Sequence, residues 1–394
     1  MSKVLEGIRV LDFGRYIAGP FCGALLADLG ADVIRIDRVG GSEDRFVMPV
    51  TPGGDGALFL QVNRNKRSIT LDIDSPEGKV IVRRLVLTAD VVIANMPAQT
   101  LAKLGLDYES LRELKADIVL VAPSAFGGSD AMNERLGFDG VGQAMSGGVH
   151  VSGFAGQPMK AMVPVVDFAT ALACAMGVLA ALYERKSSGL GQKVDASLLQ
   201  TALNFSSGLL IEEALLGLNR QATGNRSPIA GPSDIFQVTD GWIIVQVIGT
   251  GMFKRWAHLI GAPELVDDPR LASDQSRGEH GQLLSARMAK WCEGRSQQQA
   301  LSALEGAKIP AGPVHSPQEV LEDKEIADTG AFEWIDYPGL ATPAPIVRAP
   351  MNLSRTPLEV NRRAPTVGEH TEQILYEVGY NAVQLDRLRE LSII

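Results

Sequence analysis

The sequence predicts an α/β fold, with a doubly wound, Rossmann-like large domain on a parallel sheet and a smaller α/β domain late in the chain. Three observations carry this reading. Over the first two hundred residues, short apolar runs alternate with helical stretches. Each helical stretch falls where a chain must travel back along a sheet face before the next parallel strand can begin. Past that point the composition changes at 219–233, a segment rich in Gly, Pro, Ser and Asn.

The elements follow in order. Ile8–Asp12 reads as a buried strand, Gly14–Gly19 as a punctuated turn, Phe21–Leu29 as a helix and Ala31–Asp37 as the next strand. The alternation repeats with strand Ser68–Leu71, a helix over Pro76–Leu87 whose proline suits the first turn, and strand Asp90–Ala94. A helix near Leu106–Lys115 leads to strand Asp117–Ala122. Leu136–Gly148 and the alanine-rich Val163–Arg185 read as long helical stretches, and Ser187–Gly191 breaks the second. Strand Gln192–Asp195 and helix Leu198–Leu216 complete the set. Trp242–Val247 is a strand candidate ahead of helices to about Gly306, which sets off a second domain over roughly 226–315; Thr371–Val378 is again amphipathic.

Composition narrows the function. With 45% hydrophobic residues and 21% charged, the chain reads as globular. A formal net charge of -9 disfavours duplex nucleic acid or an acidic membrane surface as main partner. No basic, then apolar, leader opens the sequence, and the longest low-charge stretch, Val163–Leu182, is interrupted by Pro164, Asp167 and Thr170. A cytoplasmic protein without a membrane span is expected. Cys22, Cys174 and Cys292 are too dispersed for a disulfide framework or metal doublet, and the five histidines make no HExxH arrangement, so no metal is expected.

Asp37 ends the second strand where a dinucleotide ribose would bind, but Gly14, Gly19 and Gly23 do not make G-x-G-x-x-G. Asn63, Arg64, Lys66 and Arg67 stand just before a strand, and Arg35 and Arg38 flank Asp37. Both groups read either as anchors for an anionic cofactor or as solvated charge. Asp167 is a lone carboxylate among apolar residues at the head of a small-residue helix, hence a helix cap or a functional acid. Asp139, in a glycine-rich stretch, is a second acidic candidate and equally a cap.

Taken together, these stretches resemble the CaiB/BaiF family, the class III coenzyme A transferases. The resemblance runs through LEGIRVLDFGRYIAGPFCGALLADLGADVIRIDR at 5–38, NRNKRSITLDI at 63–73, GFDGVGQAMSG at 137–147, VVDFATAL at 165–172, GLGQKVDASLLQTAL at 189–203 and APTVGEHTEQIL at 364–375. It implies a large domain from 1–218 and 316–394, a small domain at 219–315 with its leading linker, and an interlocked homodimer. It also implies transfer of coenzyme A from an acyl-CoA thioester to a carboxylic acid, through a mixed anhydride and then an aspartyl-CoA thioester on Asp167. By the same resemblance Asp139 is an acidic site residue, and Arg38, Asn95, Lys103 and the segment Asn63, Arg64, Lys66 and Arg67 lie at the coenzyme A.

Several positions depart from formyl-CoA transferase, a member of the family. Ile17 replaces a site glutamine, Phe59 replaces a tyrosine, and the long glycine-rich gating loop is not recognisable at 219–240. Formyl-CoA:oxalate exchange is therefore not the default. A related branch holds 2-methylacyl-CoA racemases, but Phe138 stands where their proton-carrying histidine is expected. A noncatalytic CoA-binding protein is the remaining alternative.

Overall fold

The protein is described by a computed structural model covering residues 3–127, 132 and 135–394. Its main sheet has six strands among these residues: β1 (Arg9–Asp12), β2 (Asp32–Asp37), β3 (Arg67–Thr70), β4 (Val91–Ile93), β5 (Val119–Ser124) and β6 (Lys193–Ser197). They run parallel in the order β3-β2-β1-β4-β5-β6, with Val10 opposite both Val33 and Val91. Side chains of a strand alternate between faces, and each face has its own core. Leu11, Ile34, Ile36 and Val92 join Ile81 and Leu85 on one side. Val10, Val33, Ile93 and Val121 join Leu25, Cys174 and Val178 on the other.

Helix α1 (Ala18–Asp28) is buried along its whole length and packs against a 24-residue helix, α4 (Val165–Ser188). Among the shorter helices that come between them in sequence are α2 (Pro76–Thr88) and α3 (Asp139–Met145). α2 starts with Ser75 accepting from the Gly78 N–H and proline in the first turn. α3 is much shorter than the stretch expected over 136–148. By length and composition α4 could cross a membrane. Its stripe of Val166, Thr170, Ala171, Cys174, Val178 and Ala181 is buried, however, and the helix packs on α1, β5 and β6.

The chain divides into two compact units. The larger comprises 1–146, 161–210 and 330–394, and the smaller 147–160 and 211–329. The smaller unit thus takes in 147–160, a stretch the sequence reading left in the large domain. Its core gathers Phe236, Ile243, Val245, Trp256 and Met288 beneath three antiparallel strands, β7 (Ser233–Val238), β8 (Gly241–Gln246) and β9 (Ala311–Pro313). In the larger unit the C-terminal segment returns to the sheet edge: His370 N–H donates to the Ser68 carbonyl at 2.9 Å and Asp72 N–H to the Ile393 carbonyl at 2.8 Å.

Around β1–β3 lies a lattice of charge, most of it buried. Lys66 Nζ meets Asp12 at 2.7 Å, Arg35 meets Asp37 at 2.9 Å and Asp44 at 2.8 Å, and Arg45 meets Asp37 at 2.7 Å. Arg64 meets Asp28 at 2.6 Å, and Arg67 meets Asp32 at 2.6 Å and Glu377 at 2.7 Å. The expected cofactor contacts at Asn63, Arg64, Lys66 and Arg67 are therefore corrected. All four side chains are buried, and their donors are spent on carboxylates and carbonyls of the chain itself, those of Arg67 on the part-exposed Asp32 and Glu377. Removing one partner of such a pair strands the other charge in a dry interior. Lys66→Met should accordingly cost about 3–5 kcal/mol in urea unfolding, because the Asp12 carboxylate loses its ammonium.

Candidate active site

The sheet order reverses between β1 and β4, and in an open parallel sheet the crevice beyond such a reversal is where ligands bind. Two loops form it here. After β1 the chain turns so tightly that a Cβ on Gly14 would stand 2.7 Å from Asp12 Oδ1 and 2.8 Å from the Pro20 ring, which requires glycine. Gly14 N–H donates to Asp12 Oδ1 at 2.8 Å, and Tyr16 is held at φ +64°. After β4, Asn95 reaches across the reversal. Its Oδ1 accepts from Arg15 N–H and its Nδ2 donates to the Arg15 carbonyl, both at 2.8 Å.

A cavity of about 480 Å³ opens on this crevice, lined among others by Arg15, Ile17, Asn95, Phe126, Phe138 and Asp167. Asp167 is the third residue of α4, and the helix is not capped by its side chain, as one reading of the sequence had it. Asp139, the first residue of α3, does the capping: its Oδ2 accepts from the backbone N–H groups of Val166 at 2.7 Å and Asp167 at 3.1 Å. Its Oδ1 accepts from Gln143 Nε2, and Gln143 Oε1 accepts from Ala161 N–H at 2.9 Å. Asp139, Gln143 and the segment leading into α4 are thus one clamp that fixes where Asp167 emerges.

The clamp leaves the Asp167 carboxyl beside a second carboxylate. Among the described residues no cation pairs with it. Burial first, and the Asp139 charge second, push it up to about 7 from a usual value of 3.8. Aromatic contacts complete the surroundings. Phe168 meets Phe21 of α1 edge to face at 4.9 Å, and Phe138 meets Tyr16 at 5.5 Å. Phe138 is 62% exposed, at the position where a racemase would carry histidine.

The other expected contacts disperse. Asn95 lines the cavity, but its amide is spent on the Arg15 backbone. The Arg38 side chain is 70% exposed and lies 3.4 Å from Glu43, which does line the cavity. Lys103 pairs with Asp74 at 3.0 Å and borders a different hollow, between α2 and the helix Ala98–Leu104. Phe59 is buried, with the Arg45 guanidinium 3.9 Å above its ring. Sequence reasoning missed Arg15 and Gln143. Arg15 stands three residues past the first strand, in the turn at 14–19, a position that marks a ligand site only once the strand order is known. Among the described residues no cluster of three or more His, Cys, Asp or Glu is placed to hold a metal.

Two outcomes follow from the raised carboxyl. Between pH 3.8 and about 7 the folded protein keeps a proton on Asp167 that the unfolded chain has released, so this residue costs stability as pH rises through that window. Asp167→Asn should therefore raise the melting temperature above pH 7, with the gain fading toward pH 4. Asp139→Asn removes the neighbouring charge and should lower the Asp167 midpoint, measured by carbon-13 NMR titration of the labelled carboxyl.

Comparisons with known proteins point one way. Residues 5–371 match the model of CoA-transferase family III. The chain is 36% identical over 386 residues to the succinate–glutarate CoA-transferase of Agrobacterium fabrum, with 95% of each chain covered. It is 33% identical over 379 residues to the succinyl-CoA–D-citramalate CoA-transferase of Chloroflexus aurantiacus, covering 95% of this chain and 94% of that one. A CaiB/BaiF family protein from Brucella suis superposes with a TM-score of 0.84 at 30% identity, over 96% of this chain and 100% of the other.

Proposed function

The chain belongs to CoA-transferase family III, and from that premise we propose that it moves coenzyme A from an acyl-CoA thioester to a carboxylic acid through covalent attachment to Asp167. The observation that carries the proposal is the Asp167 carboxyl itself, set in the cavity at the head of α4 with no cation among the described residues to neutralise it. A carboxylate free of an ion pair keeps its lone pairs available for attack, and a raised proton affinity makes it a stronger nucleophile once ionised.

The steps balance as follows. A carboxylate oxygen of Asp167 attacks the thioester carbonyl carbon, the C–S bond breaks, and CoA thiolate leaves a mixed anhydride. The thiolate then attacks the Asp167 carbonyl carbon, giving an aspartyl-CoA thioester and the free donor acid. The acceptor carboxylate attacks that thioester, again forming an anhydride and thiolate, and thiolate attack on the acceptor's acyl carbon releases the new acyl-CoA and restores Asp167. Splitting the exchange this way lowers each barrier, and apolar walls such as Ile17 and Phe138 limit hydrolysis of the intermediates.

Asp139 serves this cycle by holding Asp167 rather than by touching substrate. Arg38, near the cavity through Glu43, and the exposed Arg135 on its wall supply charge for the phosphates of coenzyme A. A racemase would need a proton carrier where Phe138 stands. A homodimer accords with the other stripe of α4, where Val165, Leu172, Met176 and Tyr183 lie exposed at helical spacing. A cytoplasmic location accords with acyl-CoA and free acids as substrates.

Asp167→Asn should abolish exchange by about a thousandfold or more while calorimetry still registers coenzyme A binding. Exchange by the wild type should rise with pH through about 7 as the nucleophile ionises. Wash-in of solvent deuterium at the α-carbon without exchange would select the racemase instead. Sedimentation of the dilute protein should give twice the chain mass, and a fully active monomer would refute the dimer.

A further inference from the structure

Arg15 is the cation that the proposed chemistry leaves without a task. Its backbone is pinned on both sides by Asn95, the next residue adopts a left-handed conformation, and its side chain lines the cavity that Asp167 lines. The guanidinium donates through one nitrogen to the carbonyls of Phe13 at 3.1 Å and Gly14 at 2.9 Å. The carboxylates closest to it are already committed: Asp37 to Arg35 and Arg45, Asp44 to Arg35, and Asp12 to Lys66. Among the described residues no carboxylate forms an ion pair with Arg15, which is only partly exposed. Burial and the neighbouring Arg35 charge both disfavour its protonated form, a strain that an arriving anion relieves.

Its position says which anion. Ala18 opens α1 three residues on, and α1 is tied to Phe168, the neighbour of Asp167, through Phe21. Tyr16 is tied to Phe138, which directly precedes the capping Asp139. Arg15 thus belongs to the wall on which the exchanged acid reacts. A fixed guanidinium presents its remaining donors as a fork that matches a carboxylate.

We propose that Arg15 binds the second carboxylate of a dicarboxylic acid, so that the enzyme exchanges coenzyme A between acids carrying a free negative charge at the end remote from the thioester. This inference rests on the transfer reading above and adds the substrate class. An unpaired guanidinium in a largely apolar cavity also disfavours a neutral alkyl tail, which would leave it unsatisfied.

The test compares glutarate with pentanoate, acids of equal length differing in the second carboxylate, as acceptors from one acyl-CoA donor. Wild type should prefer glutarate. Arg15→Gln should raise the KM for glutarate by about 10- to 100-fold, while the KM for pentanoate and the calorimetric affinity for free coenzyme A stay near those of the wild type. Arg15→Lys, which keeps the charge without the fork, should fall between and serves if the glutamine variant does not fold. An equal loss with both acids, or weaker coenzyme A binding with the glutarate preference intact, would overturn the proposal; the latter would assign Arg15 to the phosphates. If wild type exchanges neither acid, the transfer reading fails. The arginine is then judged separately, by titrating glutarate into wild type and Arg15→Gln, where equal affinity counts against it.

Discussion

The carboxylate of Asp139, seated on the first N–H groups of α4, is the contact on which the site depends. A helix leaves its first amides without partners, and a side-chain acceptor there fixes both the start of the helix and the direction of its first turn. Here the acceptor comes from another helix, so α3 and α4 are locked together and Asp167 emerges at one defined point in the cavity. The same contact sets the chemistry, because it places one negative charge beside another and holds the Asp167 carboxyl near 7. A single substitution in sequence thus bears on geometry and proton affinity at once.

Beneath it, the buried ion pairs under β1–β3 hold the other wall. Lys66, Arg35 and Arg45 hold Asp12, Asp37 and Asp44, and those acids in turn orient the turn at Gly14 and the backbone N–H of Tyr16. Such pairs add little net stability over a well-packed apolar core, yet they are costly to break singly. Their consequence is a crevice floor in which Asp12, Asp37 and Asp44 are each held by a cation other than Arg15. Those commitments leave Arg15, which lines the cavity, without a carboxylate partner among the described residues.

Much of the fold was legible because it rests on periodicity. Apolar runs of four to six residues separated by helices specify parallel strands, and β1, β2, β4 and β5 fall where those runs lie. Asp167 stood out as a charge in an apolar stretch. The basic segment at 63–67 misled for a physical reason: adjacent cations look alike whether their partners are phosphates or distant carboxylates, and Asp28, Asp32 and Glu377 lie far away in sequence. The Asp139 clamp was equally hidden, since its partners are backbone amides 27 and 28 residues on. Arg15 became informative only once the sheet order placed the β1 loop at the reversal.

The most direct measurement is mass spectrometry of the peptide bearing Asp167, after turnover with an acyl-CoA donor in the presence of hydroxylamine. A covalent route predicts a hydroxamate on Asp167, because hydroxylamine intercepts an activated aspartyl carbonyl, and predicts none without the donor. An unmodified Asp167 under conditions of steady exchange, or a hydroxamate on another carboxyl, would contradict it.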